Sequence, residues 1–371
     1  MRKFLIVFPC DSLAYSPTTL NMAEMLAERG SVDMVTLWDA RNESAAEKLS
    51  CRFFYVRIPS LLRRVLQPFA FSFYNWLKAA LLCRKVKKHH GDYDLIFAVD
   101  SLGYYVARKV YDKKVIYVSL EIYHDVWLSL TKKIGVDMLL VQSQARKEFL
   151  FGDADIPYRI LPNSNRETPP SEDKRQGGFD LIYMGAIYPR HGVEFCIGAL
   201  TALPEEFTLT LKGVISKRYR RILLKKWPEL ISAGRLKIDG SYTPQEKVTE
   251  YLRTFDLGLC FYDMSGPLAH DVNYITCPSG KMYSYFAAGL PVVGQKIPGL
   301  QDVLDYDAGI LVDSPSPEDI AEGARGVFAD YAKFAAGSAQ AGRALRFDPH
   351  FRAILDELLP AAVSGDGENG Q

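Results

Sequence analysis

Residues 278–294, PSGKMYSYFAAGLPVVG, set a lysine inside the first turn of a helix whose other face is apolar. Ser279 can cap its start, with Gly280 beside it; Met282, Tyr285, Phe286 and Gly289 recur at three-and-four spacing, Gly289 can end the helix in the left-handed conformation, and Pro291 bars its continuation. A helix N-terminus presents unpaired N–H groups and the positive end of the macrodipole, so Lys281 in that turn makes a site suited to an anion, a diphosphate above all. Taken alone, Lys281 could equally be a solvated residue beside a cap. Other candidates follow strand-like apolar runs: Asp11, Asp100, Glu121 and His124 in the first half, Gly185, Arg190, Lys212 and Gly213 in the second, with Ser284 one turn beyond Lys281. The carboxylates and the imidazole are candidate general bases, the cations candidate phosphate ligands, and the glycines points where a backbone can approach a ligand. Each acid is equally readable as a turn or capping residue.

The elements that must hold these residues alternate almost throughout. Strands are expected at 3–8, 32–38, 52–58, 95–99, 114–120, 138–142 and 159–162, and again at 180–184, 208–211, 236–238, 257–262, 291–294 and 309–312, with helices such as 18–29, 244–254 and 317–331 between them. Gly30 is expected to close the first helix as a left-handed cap. Such alternation predicts an α/β chain of two doubly wound, Rossmann-like parallel sheets. The expected division is an acceptor-side domain over 1–165, a polar Pro- and Gly-rich linker at 166–178, a second domain over 179–345, a helix at 346–360 returning to the first domain, and a disordered tail at 361–371. In open parallel sheets ligands bind beyond the carboxyl ends of the strands, so two sheets facing one central cleft would bring the candidates together.

Composition is that of a globular protein: 371 residues, 48% hydrophobic, 24% charged, formal net charge +1. No apolar run is long enough to span a membrane, and the short run after Met1-Arg2-Lys3 reads as a strand rather than a signal peptide. Six cysteines without a CxxC pair fit reduced thiols and a cytoplasmic setting. Residues 51–90 hold nine Lys or Arg, no Asp or Glu, and many aromatics, a pattern suited to peripheral contact with an anionic membrane surface. A basic core-helix face is the plainer reading, and no nucleic-acid partner is expected. A second basic stretch, 207–228, reads as an exposed helix face. The chain lacks GxGxxG after its first strand and the upstream glycine of a P-loop. Its histidines show no metal-ligand spacing, and the Asp-x-Asp runs at 92–94, 153–155 and 305–307 read as turns, so no metal site is expected.

The segment PSGKMYSYFAAGLPVV resembles the signature of GT-B glycosyltransferases, especially the retaining family 4 and its relatives. LIYMGAIYPRHGVE (181–194), LTLKG (209–213) and GSYTPQEKVTEYLRTFDLGLCFY (240–262) look like successive pieces of that family's donor domain, and VIYVSLEIYHD (115–125), DMLLVQSQARKEFL (137–150) and ILPNSN (160–165) like pieces of its acceptor domain. The resemblance implies transfer of a sugar from a nucleotide diphosphate sugar to a glycan or lipid-linked glycan acceptor in bacterial surface polysaccharide biosynthesis, without a cofactor or catalytic metal. It makes Lys281 a phosphate ligand, with Ser279, Gly280, Ser284, Gly185, Arg190, Lys212 and Gly213 around the donor. This sequence departs from the family at Ala186 and His191, where relatives carry Arg and Lys, and at Thr276 and Ser284, where they carry glutamates. Those departures motivate two alternatives, an inactive GT-B subunit that binds a partner enzyme and a GT-B-fold sugar-nucleotide epimerase.

Overall fold

The computed structural model describes residues 1–123, 125–166, 179–265 and 271–359. Most of the expected linker and the expected tail lie outside them.

The first sheet comprises β1 (Arg2–Phe8), β2 (Gly30–Leu37), β3 (Cys51–Val56), β4 (Leu95–Val99), β5 (Ile116–Ser119), β6 (Met138–Val141) and β7 (Tyr158–Ile160). All its pairings are parallel, in the order β3-β2-β1-β4-β5-β6-β7. β1 shows why. Leu5 and Val7 enter one apolar core and Phe4 and Ile6 another, so the strand is covered by helices on both faces and reads as one continuous apolar run.

The second sheet repeats the plan with β8 (Asp180–Met184), β9 (Thr208–Lys212), β10 (Leu236–Asp239), β11 (Leu257–Cys260), β12 (Val292–Gln295) and β13 (Gly309–Val312), again parallel, in the order β10-β9-β8-β11-β12-β13. Chain order reverses between β1 and β4 and between β8 and β11, and ligands of such sheets bind at these switch points. The last helix, Phe347–Leu358, leaves the second domain and buries Phe347, Phe351, Ile354 and Leu355 in the core of the first. Arg166 fastens this crossover with ion pairs to Glu24 at 2.7 Å and Asp348 at 2.8 Å.

Two glycines had different assignments. Gly30 does not close a helix: it opens β2, where a Cβ would meet the Arg2 carbonyl at 2.3 Å. Gly289 is the left-handed cap expected, with φ 70°. The tightest approach lies at the ends of β8 and β9, where a Cβ on Gly213 would sit 1.9 Å from the Gly185 carbonyl oxygen and φ is +140°. Gly213→Ala should therefore lower stability by roughly 3 kcal/mol or more, since backbone strain and overpacking each cost about 1–3. Denaturant unfolding measures it, and a change below about 1 kcal/mol would show that these loops separate freely.

Candidate functional site

Lys281 lies in the first turn of the helix Gly280–Ala288, whose apolar face, Met282, Tyr285 and Phe286, is fully buried. Tyr285 fixes that helix to the sheet, its hydroxyl accepting the Met184 N–H at 3.0 Å at the end of β8. The Lys281 side chain crosses to the Gly185 turn, where a Cβ would meet its Cδ at 3.3 Å, so glycine leaves the lysine its channel. Its ammonium lies 4.4 Å from the Tyr262 ring centroid and 5.3 Å from that of Tyr183, and donates to the Tyr262 hydroxyl at 3.3 Å. Among the described residues no carboxylate forms an ion pair with it. Burial opposes its charge, while the Tyr183 phenol and the Cys260 and Cys196 thiols act the other way and hold its pKa above the ordinary value. The result is a half-buried cation without an ion-pair partner among the described residues.

Ser279 stands at the N-cap position, as expected, yet does not cap. Its hydroxyl accepts from Tyr262 at 2.9 Å and makes no bond to the helix's first N–H groups. Those donors stay available beside Lys281. Gly280 begins the helix, and Ser284 donates to the Gly280 carbonyl at 3.0 Å and accepts from Asn165 at 3.4 Å. Thr276 turns its hydroxyl back on the Val272 carbonyl at 2.7 Å.

Around this turn, Arg190 is exposed in the short Pro189–His191 helix. Beside it, His191 is pushed down to about 4 by burial and then by the charges of Lys281 and Arg190, so its ring is neutral at pH 7. Lys212, the other candidate cation, is held within its own sheet. Its ammonium donates to Asp239 at 2.6 Å and Ser241 at 2.7 Å, and the bond from Lys212, with one from Ser241 to the same acid, holds the Asp239 carboxyl down at about 2. Lys212 thus latches β9 to β10.

The first domain faces this turn with its acids. Asp100, straight after β4, adopts φ 53°, which non-glycine residues avoid, and its buried carboxylate accepts the Leu120 and Glu121 N–H groups, both at 2.8 Å. Burial pushes it up to about 7 against those two bonds, with the Glu121 charge adding to the rise. Glu121 reaches solvent and is itself raised, by loss of solvation and then against the pull of Arg146. Asp11 is ion-paired with Arg63, which removes it from the group of free acids. His124 lies outside the described residues.

Two residues that no motif singled out join the halves. Arg146, fully buried, donates from Nη2 to the Leu120 carbonyl at 2.6 Å and to Asn273 of the second domain at 3.0 Å. It follows the Ser143 cap just past β6, so the strand-end rule that picked Glu121 would have found it. The neighbouring Cys277 thiol is pushed up to about 11, mainly by burial, with Arg146 lowering it and Glu121 and Asp100 raising it. The first-domain acids therefore stand next to the turn that leads into Lys281.

No family model and no curated protein sequence matches the chain. Solved structures match it over nearly full length. Anabaena HepE in complex with UDP-glucose is 17% identical, with 96% of this chain and 99% of that one covered and a TM-score of 0.69. Sucrose-phosphate synthase from Thermosynechococcus elongatus is 16% identical, with 98% and 100% covered and a TM-score of 0.68. A glycosyltransferase from Rickettsia africae is 13% identical, with 97% and 99% covered and a TM-score of 0.67. Likeness at such identities is one of fold, and with its two parallel sheets of seven and six strands the chain has the two-domain GT-B fold.

Proposed function

We propose that the protein is a glycosyltransferase: the second domain holds a nucleotide diphosphate sugar, and the first offers a glycan or lipid-linked glycan acceptor, in bacterial surface polysaccharide biosynthesis. The observation that carries this reading is Lys281, an unpaired cation at an uncapped helix N-terminus beside the first-domain acids. As the sugar bond breaks, negative charge grows on the departing diphosphate. A preorganised ammonium and backbone N–H groups stabilise that charge more than they stabilise the bound donor, which is what lowers a barrier. This chemistry asks for no metal ion or cofactor. HepE was solved with UDP-glucose, with UDP, and with UDP and glucose, which makes uridine diphosphate sugars the first donors to test.

The test is release of nucleoside diphosphate from a panel of nucleotide diphosphate sugars, with and without glycan acceptors, alongside thermal shift by the diphosphates. Acceptor-stimulated release supports transfer. Binding without release under any condition identifies the inactive subunit, for which the orientation of the Thr276 hydroxyl speaks, and isomerisation of the sugar without acceptor identifies the epimerase.

We further infer that the acceptor side rests on an anionic membrane. No helix among the described residues is long and apolar enough to cross one. The helix Ser60–Phe69, however, exposes Leu61 by 71% and Val65 by 50%, and the helix Phe71–Lys88 exposes Phe73 by 60% and Trp76 by 46%. Basic residues lie among them and end the second helix as Lys85, Lys87 and Lys88. Each basic group near such a surface contributes about 1 kcal/mol. The protein should pellet with phosphatidylserine-containing vesicles at low salt, and Arg84→Glu with Lys88→Glu should weaken this by about tenfold or more. Equal pelleting with neutral vesicles, or none with anionic ones, would sink the idea.

A further inference from the structure

Leu120, Glu121 and Ile122 follow β5 in the first domain, and five of their six backbone polar groups are held by side chains. Asp100 accepts the N–H groups of Leu120 and Glu121 at 2.8 Å each, and Arg146 donates to the Leu120 carbonyl at 2.6 Å. Asn273 takes both groups of Ile122, accepting its N–H on Oδ1 at 2.8 Å and donating Nδ2–H to its carbonyl at 2.9 Å. A side-chain amide thus pairs with a backbone as a neighbouring strand would, across the boundary between domains.

Asn273 belongs to a short element of the second domain that docks on the first at every turn. Asp271 starts the helix Val272–Thr276 by accepting the Asn273 N–H at 3.0 Å. Val272 is buried in the same apolar core as Ile122 and Trp127. The Thr276 carbonyl accepts from Ser143 at 2.8 Å, and the Cys277 thiol donates to Gln142 at 2.9 Å. The chain then passes through Pro278 and Ser279 directly into the turn that carries Lys281. Asn273 Oδ1 is shared with Arg146 at 3.0 Å, so one carboxamide fixes Ile122 and steadies the guanidinium beside Glu121 and Asp100.

We propose that Asn273 is a positioning residue that sets the Glu121 carboxylate from the opposite domain. It locks the backbone immediately after Glu121, while Asp100 and Arg146 lock it before, so the acid on the acceptor side keeps a fixed place relative to the Lys281 turn. The reacting groups then lie on two domains, and at Glu121 their alignment passes through this amide. The proposal rests on the glycosyl-transfer reading of the site, and its test is chosen to separate the two.

In Asn273→Ala, hydrogen exchange at the Ile122 amide should accelerate about tenfold or more, because its acceptor is removed. Transfer kcat should fall about tenfold or more with donor KM within about twofold, since the anion site is untouched. Asn273→Asp keeps the acceptor for Ile122 and Arg146 but sets a carboxylate oxygen against the Ile122 carbonyl, so it should restore slow exchange at the Ile122 amide and recover part of kcat, which also controls for misfolding of the alanine variant. Unchanged exchange overturns the clasp. Faster exchange with unchanged kcat, or kcat and donor KM shifting together with a lowered Tm, overturns positioning in favour of a merely structural contact. If the wild-type protein turns over no nucleotide sugar, the transfer reading and the role given to Asn273 in it both fall, while the exchange measurement still decides the clasp.

Discussion

Replacing Lys281 by methionine should lower kcat for glycosyl transfer on the order of 100- to 1,000-fold with little change in Tm. The size follows from what one preorganised charge contributes in a water-poor site, about 3–4 kcal/mol against developing negative charge. Lys281 has that position: its ammonium lies over the Tyr262 ring at 4.4 Å and its stem fills the channel at Gly185. The neighbouring His191 is held neutral, and Lys212 is spent on Asp239, so neither can substitute for the lost charge. Methionine keeps the stem's packing and removes only the ammonium. The ammonium loses solvation, but the Tyr262 hydroxyl and the Tyr262 and Tyr183 rings hold it and its pKa lies above the ordinary value, so its removal should change Tm little. A large loss of rate with little change in stability would separate a functional lysine from a structural one. The diphosphate should likewise stop raising Tm in the variant. A kcat within about threefold of wild type would remove Lys281 from the reaction.

The same contrast explains what was legible in the sequence. The thirteen strands among the described residues stand within a few residues of where apolar runs placed them, because strands buried on both faces need uninterrupted apolar sequence, as in Phe4 to Val7. The Gly289 cap and the position of Lys281 were legible for the same local reason. Ser279 was misread because capping rules see only the next three residues, and here a tertiary partner, Tyr262, competes for the hydroxyl and wins. The ion pair of Lys212 was not legible because its partner Asp239 lies on the adjacent strand, 27 residues along the chain. Gly30 was read as a cap because glycine after a helix usually is one, whereas the constraint comes from the carbonyl of Arg2. Asn273 gave no signal at all: its meaning is a pairing with Ile122, 151 residues away, and no local pattern encodes a contact between domains. The sequence therefore carried the scaffold and the helix turn that holds Lys281, and the geometry between the domains appeared only with the tertiary structure.

Asp100 should contribute a fall in the protein's stability as pH rises from 4 to 8, and Asp100→Asn should remove that contribution. The carboxyl sits fully buried after β4, with an ordinary value of 3.8 raised to about 7 by desolvation. Between those values the unfolded chain is ionised at this residue while the folded chain keeps the proton. Stability from the protonated group is complete below the unfolded value and is lost as pH climbs through the folded one, on the order of 4 kcal/mol at 1.36 kcal/mol per unit. Asparagine carries an oxygen that can still accept the Leu120 and Glu121 N–H groups, and it tolerates the φ of 53° that most residues avoid. The variant should thus match wild type near pH 4 and exceed it by a few kcal/mol at pH 8, as read by denaturant unfolding at each pH. A difference that stays flat over this range would mean that Asp100 is ionised in the fold throughout. The protein retains an acid that costs it stability at neutral pH, at the strand end where the first domain meets the Lys281 turn, and strain and burial of this kind concentrate where a chain performs chemistry rather than where it only packs.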